Sequence, residues 1–403
     1  MKQFNLKWLF GQVSFFGSAN VVNLAVPFIL IPFLALAYTP SDYRVLSMFQ
    51  MLVTFFAIFI GMQSVASVVR YTKNDERDLK GDRIIIGSTF YIYYRSFLVL
   101  SILVFFIQNI LSDFLKINNS IIWLSFFVAN LYFFWQLYLN YSQAKENGRD
   151  YLVSTVIHAL ISLFLTLAFL AIGFEFNERI TAIAISALII GAVSRFKFGN
   201  YIKVKWNNNI LKRNFWYGVN LIPHGVFVFM LAYIDKIYVN TYFTESVAGS
   251  YFLMFTVAQA CLILPTALNL AYRPWFYNNA SDFLKIKPIM EIRNIVKVAI
   301  LIGLICALIG VVAYLALLFL GERNSYEIIR SVFIILCVIT IIDSYYLFAV
   351  NILLFLEKTK TVSMITFASF IFTIILLSLL GPIYGVLGAA LSCMFGSVFR
   401  LVL

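Results

Sequence analysis

The chain has 403 residues, of which 62% are hydrophobic and only 12% charged, and its net charge is +12. A soluble domain is about a quarter charged because it must coat its outside, so a water-solvated fold is excluded and a lipid-solvated one is implied. The positive charge does not signal a nucleic-acid partner, since the basic residues fall in short clusters between apolar runs, as on the cytoplasmic loops of membrane proteins.

A membrane-crossing helix takes about 20 mostly apolar residues. The first ten residues carry Lys2 and Lys7 and lead into a long apolar stretch with no clear cleavage site, which predicts an uncleaved first helix. Spans follow at 8–37, 43–69, 84–110, 120–143, 151–173, 179–198, 214–241, 247–272, 293–320, 327–356, 361–380 and 383–403. The fold class is therefore all-α integral membrane, with about twelve transmembrane helices. Outer loops are short, the longest lying around 112–120, and the longest inner loops are 199–213 and 273–292. On this layout 23 of the 30 Lys and Arg residues lie on the inner side. That bias places both termini in the cytoplasm. The other seven are Arg44, Arg95, Lys116, Arg179, Lys236, Arg323 and Arg330.

The chain also divides into two halves of six spans, 1–200 and 201–403. Span 1 contains Pro27 and Pro32, and span 7, the first of the second half, contains Pro223. The hairpin after span 1 begins Thr39-Pro-Ser-Asp-Tyr-Arg, and the one after span 7 begins Thr244-Glu-Ser-Val-Ala-Gly. Interrupted helices at matching places in two repeats point to a central pathway. Cys261, Cys306, Cys337 and Cys393 sit inside apolar runs at wide spacing with no metal-binding pattern, which predicts buried reduced thiols. There is no P-loop, GxGxxG, HExxH or nucleophile elbow, so neither an ATP-driven pump nor a cofactor is expected.

Val247-Ala-Gly-Ser-Tyr, the preceding Ala232-Tyr-Ile-Asp-Lys, Arg273-Pro-Trp and the closing Gly381-Pro-Ile-Tyr-Gly-Val-Leu-Gly-Ala-Ala together resemble the polysaccharide-flippase branch of the multidrug/oligosaccharidyl-lipid/polysaccharide exporter superfamily. The match extends over the whole chain through the six-plus-six arrangement, and departs from the family at Arg44, where a small residue is usual. The resemblance implies an alternating-access transporter whose two pseudo-symmetric six-helix lobes enclose a central cavity. Within the branch, the chain resembles Wzx-type O-antigen flippases. That implies an undecaprenyl-pyrophosphate-linked oligosaccharide as substrate, the bacterial inner membrane as location, and an O-antigen polymerase and a chain-length regulator as candidate partners.

Ionisable side chains deep in a span are costly and usually face a cavity. Arg95, Lys236, Arg330, His224 and Arg44 are therefore candidate substrate-binding groups, and Asp235 and Asp343 candidate ion-coupling acids. Each has a plainer alternative: Arg330 and Lys236 could snorkel to a helix end, Asp235 could be a structural partner of a base, and His224, like His158, could be a packing histidine. Polar stripes at helical spacing, such as Ser88, Tyr91 and Arg95 in span 3, imply a water-filled interior. Two other functions compete. A multidrug or cation exporter would want acids in its cavity. A membrane-embedded O-antigen polymerase or ligase would carry a large periplasmic loop, which no outer loop here can supply. A lipid II flippase of the same superfamily usually has fourteen spans, more than 403 residues allow.

Overall fold

A computed structural model describes residues 6–72, 79–145, 147–173, 177–199, 207–266, 268–269, 329–356 and 358–403, with helical pieces between 303 and 318. The helices are α1 (Leu6–Ala37), α2 (Pro40–Phe59), α3 (Val65–Tyr71), α4 (Leu79–Leu115), α5 (Asn119–Ala144), α6 (Gly148–Ile172) and α7 (Glu178–Lys197). They continue with α8 (Asn208–Val219), α9 (Ile222–Tyr242), α10 (Glu245–Ala258), α11 (Arg330–Phe355) and α12 (Thr359–Val402). No strand occurs among the described residues. Residues 73–78, 200–206 and 270–302, and with them the Arg273-Pro-Trp motif, lie outside the described residues, as does much of the predicted ninth span.

Ten of the described helical stretches are long and apolar enough to cross a bilayer. Large apolar side chains stay uncovered on them: Leu98, Ile102, Phe105, Phe106 and Ile110 of α4 are 60–73% exposed. Such a stripe is untenable in water and suits contact with lipid tails. The predicted spans 11 and 12 appear as one helix, α12, but Gly385 breaks it with φ 61° and ψ −132°. Past that point Gly388 lies against the Leu380 carbonyl and Gly396 against Thr373, while the Phe372 and Phe399 rings stack at 4.5 Å. The two arms therefore run antiparallel, so α12 is a hairpin of two spans.

Two other predicted spans are interrupted. Span 2 breaks at Ile60–Gln63, a 3-10 segment in which Gly61, Met62 and Gln63 have φ of 66°, 49° and 54°. Span 7 breaks between α8 and α9 at Asn220 and Leu221, just before Pro223, whose ring cannot continue a helix ladder.

The helices pack into two compact units, one of residues 1–19 and 45–229, the other of 20–44 and 230–403. In the first, α5 is the central column. Gly191 of α7 touches the Leu131 carbonyl of α5, an approach that only a residue without a side chain permits, and the Tyr93 and Phe133 rings stack at 4.4 Å. In the second, the turns before α2 and α10 are each fixed by a threonine cap. Thr39 and Asp42 exchange bonds in a capping box (Oγ1 to Oδ2 2.6 Å, Asp42 N–H to Oγ1 3.3 Å), and Thr244 Oγ1 accepts from the Val247 amide. Gly249 then packs directly on the Pro40 backbone. The four thiols are free, and three of them meet: Cys261 and Cys306 each donate to the other's carbonyl, at 3.3 and 3.2 Å, with Cys337 packed alongside.

Candidate functional site

The break in span 2 shapes a cavity. Of these three successive left-handed residues, the two that are not glycine, Met62 and Gln63, cost about 1–3 kcal/mol each and persist only where the surroundings hold them. Here the Gly61 amide donates to Ser96 Oγ of α4 at 2.9 Å, the Ser64 amide donates back to the Gly61 carbonyl at 2.9 Å, and Gly218 of α8 nests against Met62 and Ser64. A side chain at 61 would collide with Phe133, and one at 218 with the Met62 carbonyl. The resulting space between the break, α4 and α8 has a volume of about 460 Å³ and is lined by Met62, Tyr91, Arg95, Ser96, Asn208 and Lys212 among others.

Arg95 stands in this cavity, exposed, with its guanidinium 4.3 Å above the Tyr91 ring. Among the described residues it has no carboxylate partner. The predicted stripe Ser88–Tyr91–Arg95 is thereby divided. Ser88 is fully buried and accepts a 2.6 Å bond from Asn214 of α8, whereas Tyr91 and Arg95 line the open space. His224, third residue of α9, belongs to the same unit but not to this cavity, is half-buried, and has no hydrogen-bond partner for Nδ1 among the described residues.

The remaining predicted groups lie in the second unit, and most are already engaged. Asp235 is buried and accepts from Tyr251 at 2.6 Å, with the Lys236 ammonium 3.8 Å away. That ammonium donates to the Ala232 carbonyl at 2.6 Å and sits over the Phe255 ring at 3.2 Å. Asp343 accepts from Arg400 at 2.6 Å, and the buried Cys393 lies within electrostatic reach of both aspartates. Arg44, 3% exposed, reaches Glu245 at 2.8 Å and Asn240 at 3.2 Å, while Ser41 donates to the second Glu245 oxygen at 2.7 Å. This clasp joins the two hairpins that the repeat pairs, which explains how an arginine replaces the usual small residue there. Arg330, the first residue of α11, is exposed.

Sequence reasoning passed over Lys212 and Arg179. Lys212 falls in a predicted loop because span 7 was expected to start at 214. The helix starts at Asn208, where the Asn207 side chain caps the amides of Asn209 and Ile210, and the Asn207-Asn-Asn run was the signal. Arg179 is buried at the start of α7 and donates to Ser162 Oγ at 2.7 Å and Thr166 Oγ1 at 3.0 Å, which explains why those hydroxyls recur in α6. His158 sits nearby with Nε2 3.2 Å from Tyr132 and its ring 4.3 Å from that of Trp135, a packed position.

A family model described as polysaccharide biosynthesis protein matches residues 11–279. An uncharacterized membrane protein of Haemophilus influenzae is 25% identical over 370 residues, 88% of this chain and 85% of its own length. Among solved structures, a multidrug resistance MATE family transporter of the MOP superfamily, inward-facing, superposes with a TM-score of 0.69 at 12% identity, over 95% of this chain and 96% of that one. The lipid II flippase MurJ, in an inward closed conformation, gives 0.66 at 16% identity, over 98% and 86%. The MATE multidrug transporter DinF-BH gives 0.64 at 15% identity, over 100% and 94%. At these identities the structural likeness is one of fold.

Proposed function

The chain belongs to the polysaccharide biosynthesis protein family, and from that premise we propose that it is an alternating-access flippase for undecaprenyl-pyrophosphate-linked O-antigen oligosaccharides. It carries them from the cytoplasmic to the periplasmic leaflet of a bacterial inner membrane, with both termini in the cytoplasm. Residues 1–200 and 201–403 act as its two lobes, and it performs no catalysis. An O-antigen polymerase and a chain-length regulator are the proposed partners downstream.

The observation that carries this reading is Arg95. A diphosphate leaving the headgroup region sheds water, and a fixed cation in a cavity offsets that loss. A guanidinium also grips phosphate oxygens bidentately, which an ammonium does not. The acids support the same choice over a cation exporter. Asp235 and Asp343 each lie beside a base, so neither offers a free carboxylate to a cationic drug. Lys236 and Arg44 are likewise committed to carboxylates, His224 and Arg330 are held as secondary contacts, and ion coupling is assigned to Asp343 or Asp235, where an arriving proton or sodium ion would compete with Arg400 or Lys236.

The test is export of lipid-linked oligosaccharide at matched protein levels. Arg95→Ala should abolish it, Arg95→Lys should keep part, and Arg95→Glu should be at least as damaging as Ala. Normal export by both Ala and Glu variants would remove Arg95 from the transport path.

A further inference from the structure

The cavity holding Arg95 has a neighbour built on the same helix. A second cavity of about 400 Å³ is lined by Tyr71, Asn209, Lys212, Trp216, Tyr217 and Asn220, together with Arg213. Lys212 lines both cavities. The exposed residues of α8, namely Asn208, Asn209, Lys212, Arg213 and Trp216, share one helical face, while Asn214 and Gly218 on the other face are buried.

The two cavities differ in chemistry. The first is lined mainly by apolar groups, with Arg95 and Lys212 as its cations. The second is a set of aromatic faces and side-chain amides. Its rings are braced by cations: Arg213 lies 3.9 Å above Tyr71, Arg70 lies 5.2 Å above Tyr217, and the two tyrosine rings meet edge to face at 5.6 Å. Arg213 and Arg70 are thus occupied in holding the platform. Lys212, by contrast, has no carboxylate or hydrogen-bond partner among the described residues. Trp216 is 53% exposed. Aromatic faces take the apolar C–H face of a sugar ring, and amides both donate to and accept from its hydroxyls.

We infer that the two cavities are one divided site for a saccharide diphosphate, with the diphosphate between Arg95 and Lys212 and the first sugar against Trp216 and Tyr217, its hydroxyls meeting Asn209 and Asn220. This deepens the transport reading and rests on it. Lys212 is the pivot, since it stands where the phosphate part and the sugar part of the ligand join. The same headgroup chemistry occurs on a polyprenyl lipid and on a soluble nucleotide sugar, and the lipid source is favoured because the cavity of Arg95 is bounded by the lipid-facing helix α4.

The experiment measures binding of three probes to the full chain in nanodiscs: undecaprenyl diphosphate, undecaprenyl-diphosphate N-acetylglucosamine, and uridine-diphosphate N-acetylglucosamine. Lys212→Ala should weaken both lipid probes about tenfold or more, and Lys212→Arg should restore most of that. Trp216→Ala should weaken only the sugar-bearing lipid, bringing it close to the sugar-free one. Melting without ligand should match the native chain for every variant used. Unchanged affinities in Lys212→Ala, with Arg95→Ala still defective, would overturn the divided site while leaving the transport reading intact. An equal loss for both lipids in Trp216→Ala would overturn the sugar placement. Tighter binding of the nucleotide sugar would overturn the lipid source, and failure of the native chain to bind either lipid would overturn the transport reading itself.

Discussion

Both units of this molecule pair buried ions, Asp82 with Lys145 in the first for instance, and they differ in what the first leaves open. Among the described residues of the second unit the buried ions have partners: Arg44 with Glu245, Asp235 with Lys236 and Tyr251, Asp343 with Arg400. In the first unit, the cations lining the cavity beside the broken span, Arg95 and Lys212, face open space. The sequence distributes these residues among spans without distinguishing them. Pairing separates them, because a paired ion is satisfied by its partner, whereas a cation in an open cavity is available to an anion from outside.

That contrast predicts a graded series in thermal stability. The largest loss should come from Lys236→Met, which strands Asp235 as a buried charge and should cost about 3–5 kcal/mol. The double variant Asp235→Asn, Lys236→Met should recover most of it. Melting curves in detergent measure both, and a single variant that melts like the native chain would mean the pair is not structural. Arg44→Ala comes next at about 1–2 kcal/mol, because Glu245 is 52% exposed and water compensates its loss. Limited proteolysis of the hairpin around 244–248 should accelerate in parallel, and an unaltered rate would show that Ser41 and the threonine caps hold the hairpins without the arginine.

The smallest stability effect should be that of Asp343→Asn, whose amide oxygen can still accept from Arg400. If Asp343 carries the coupling ion, the variant should remain folded, transport slowly, and lose its response to imposed pH or sodium gradients. An intact gradient response would place Asp343 with the structural pairs. Arg95→Ala belongs at the same end of this scale, folded as before and inactive.

Much of the fold was legible because the bilayer leaves few choices. Runs of apolar residues near 20 long and the inner clusters of Lys and Arg predict the spans, and the structure bears out the helical class and even the closing hairpin hidden inside α12. The break in span 7 had a signal in Pro223. The break in span 2 had only Gly61, since Met62 and Gln63 are ordinary helix formers that the contacts with Phe133, Ser96 and Gly218 hold left-handed. The site was half legible for a similar reason. Arg95 is conspicuous as a charge within an apolar run, but the partners that occupy Arg44 and Asp343 lie 201 and 57 residues away in the chain. No local pattern encodes such pairings. Lys212 was missed because its helix begins earlier than hydropathy suggests, with an asparagine cap and a polar first turn.

The length of α4 sets the depth at which all this happens. Its apolar stretch Gly81–Leu115 has 35 residues, or about 52 Å at 1.5 Å per residue, against a hydrocarbon core of about 30 Å. The exposed apolar stripe that must face acyl chains runs from Leu98 to Phe114, some 24 Å, close to the full core. Arg95 precedes the first residue of that stripe by about one helical turn, so it stands at one end of the exposed apolar band rather than at its middle. A lipid diphosphate would reach it by lateral diffusion along the stripe, and the guanidinium would stand in for water as the headgroup gives up its hydration.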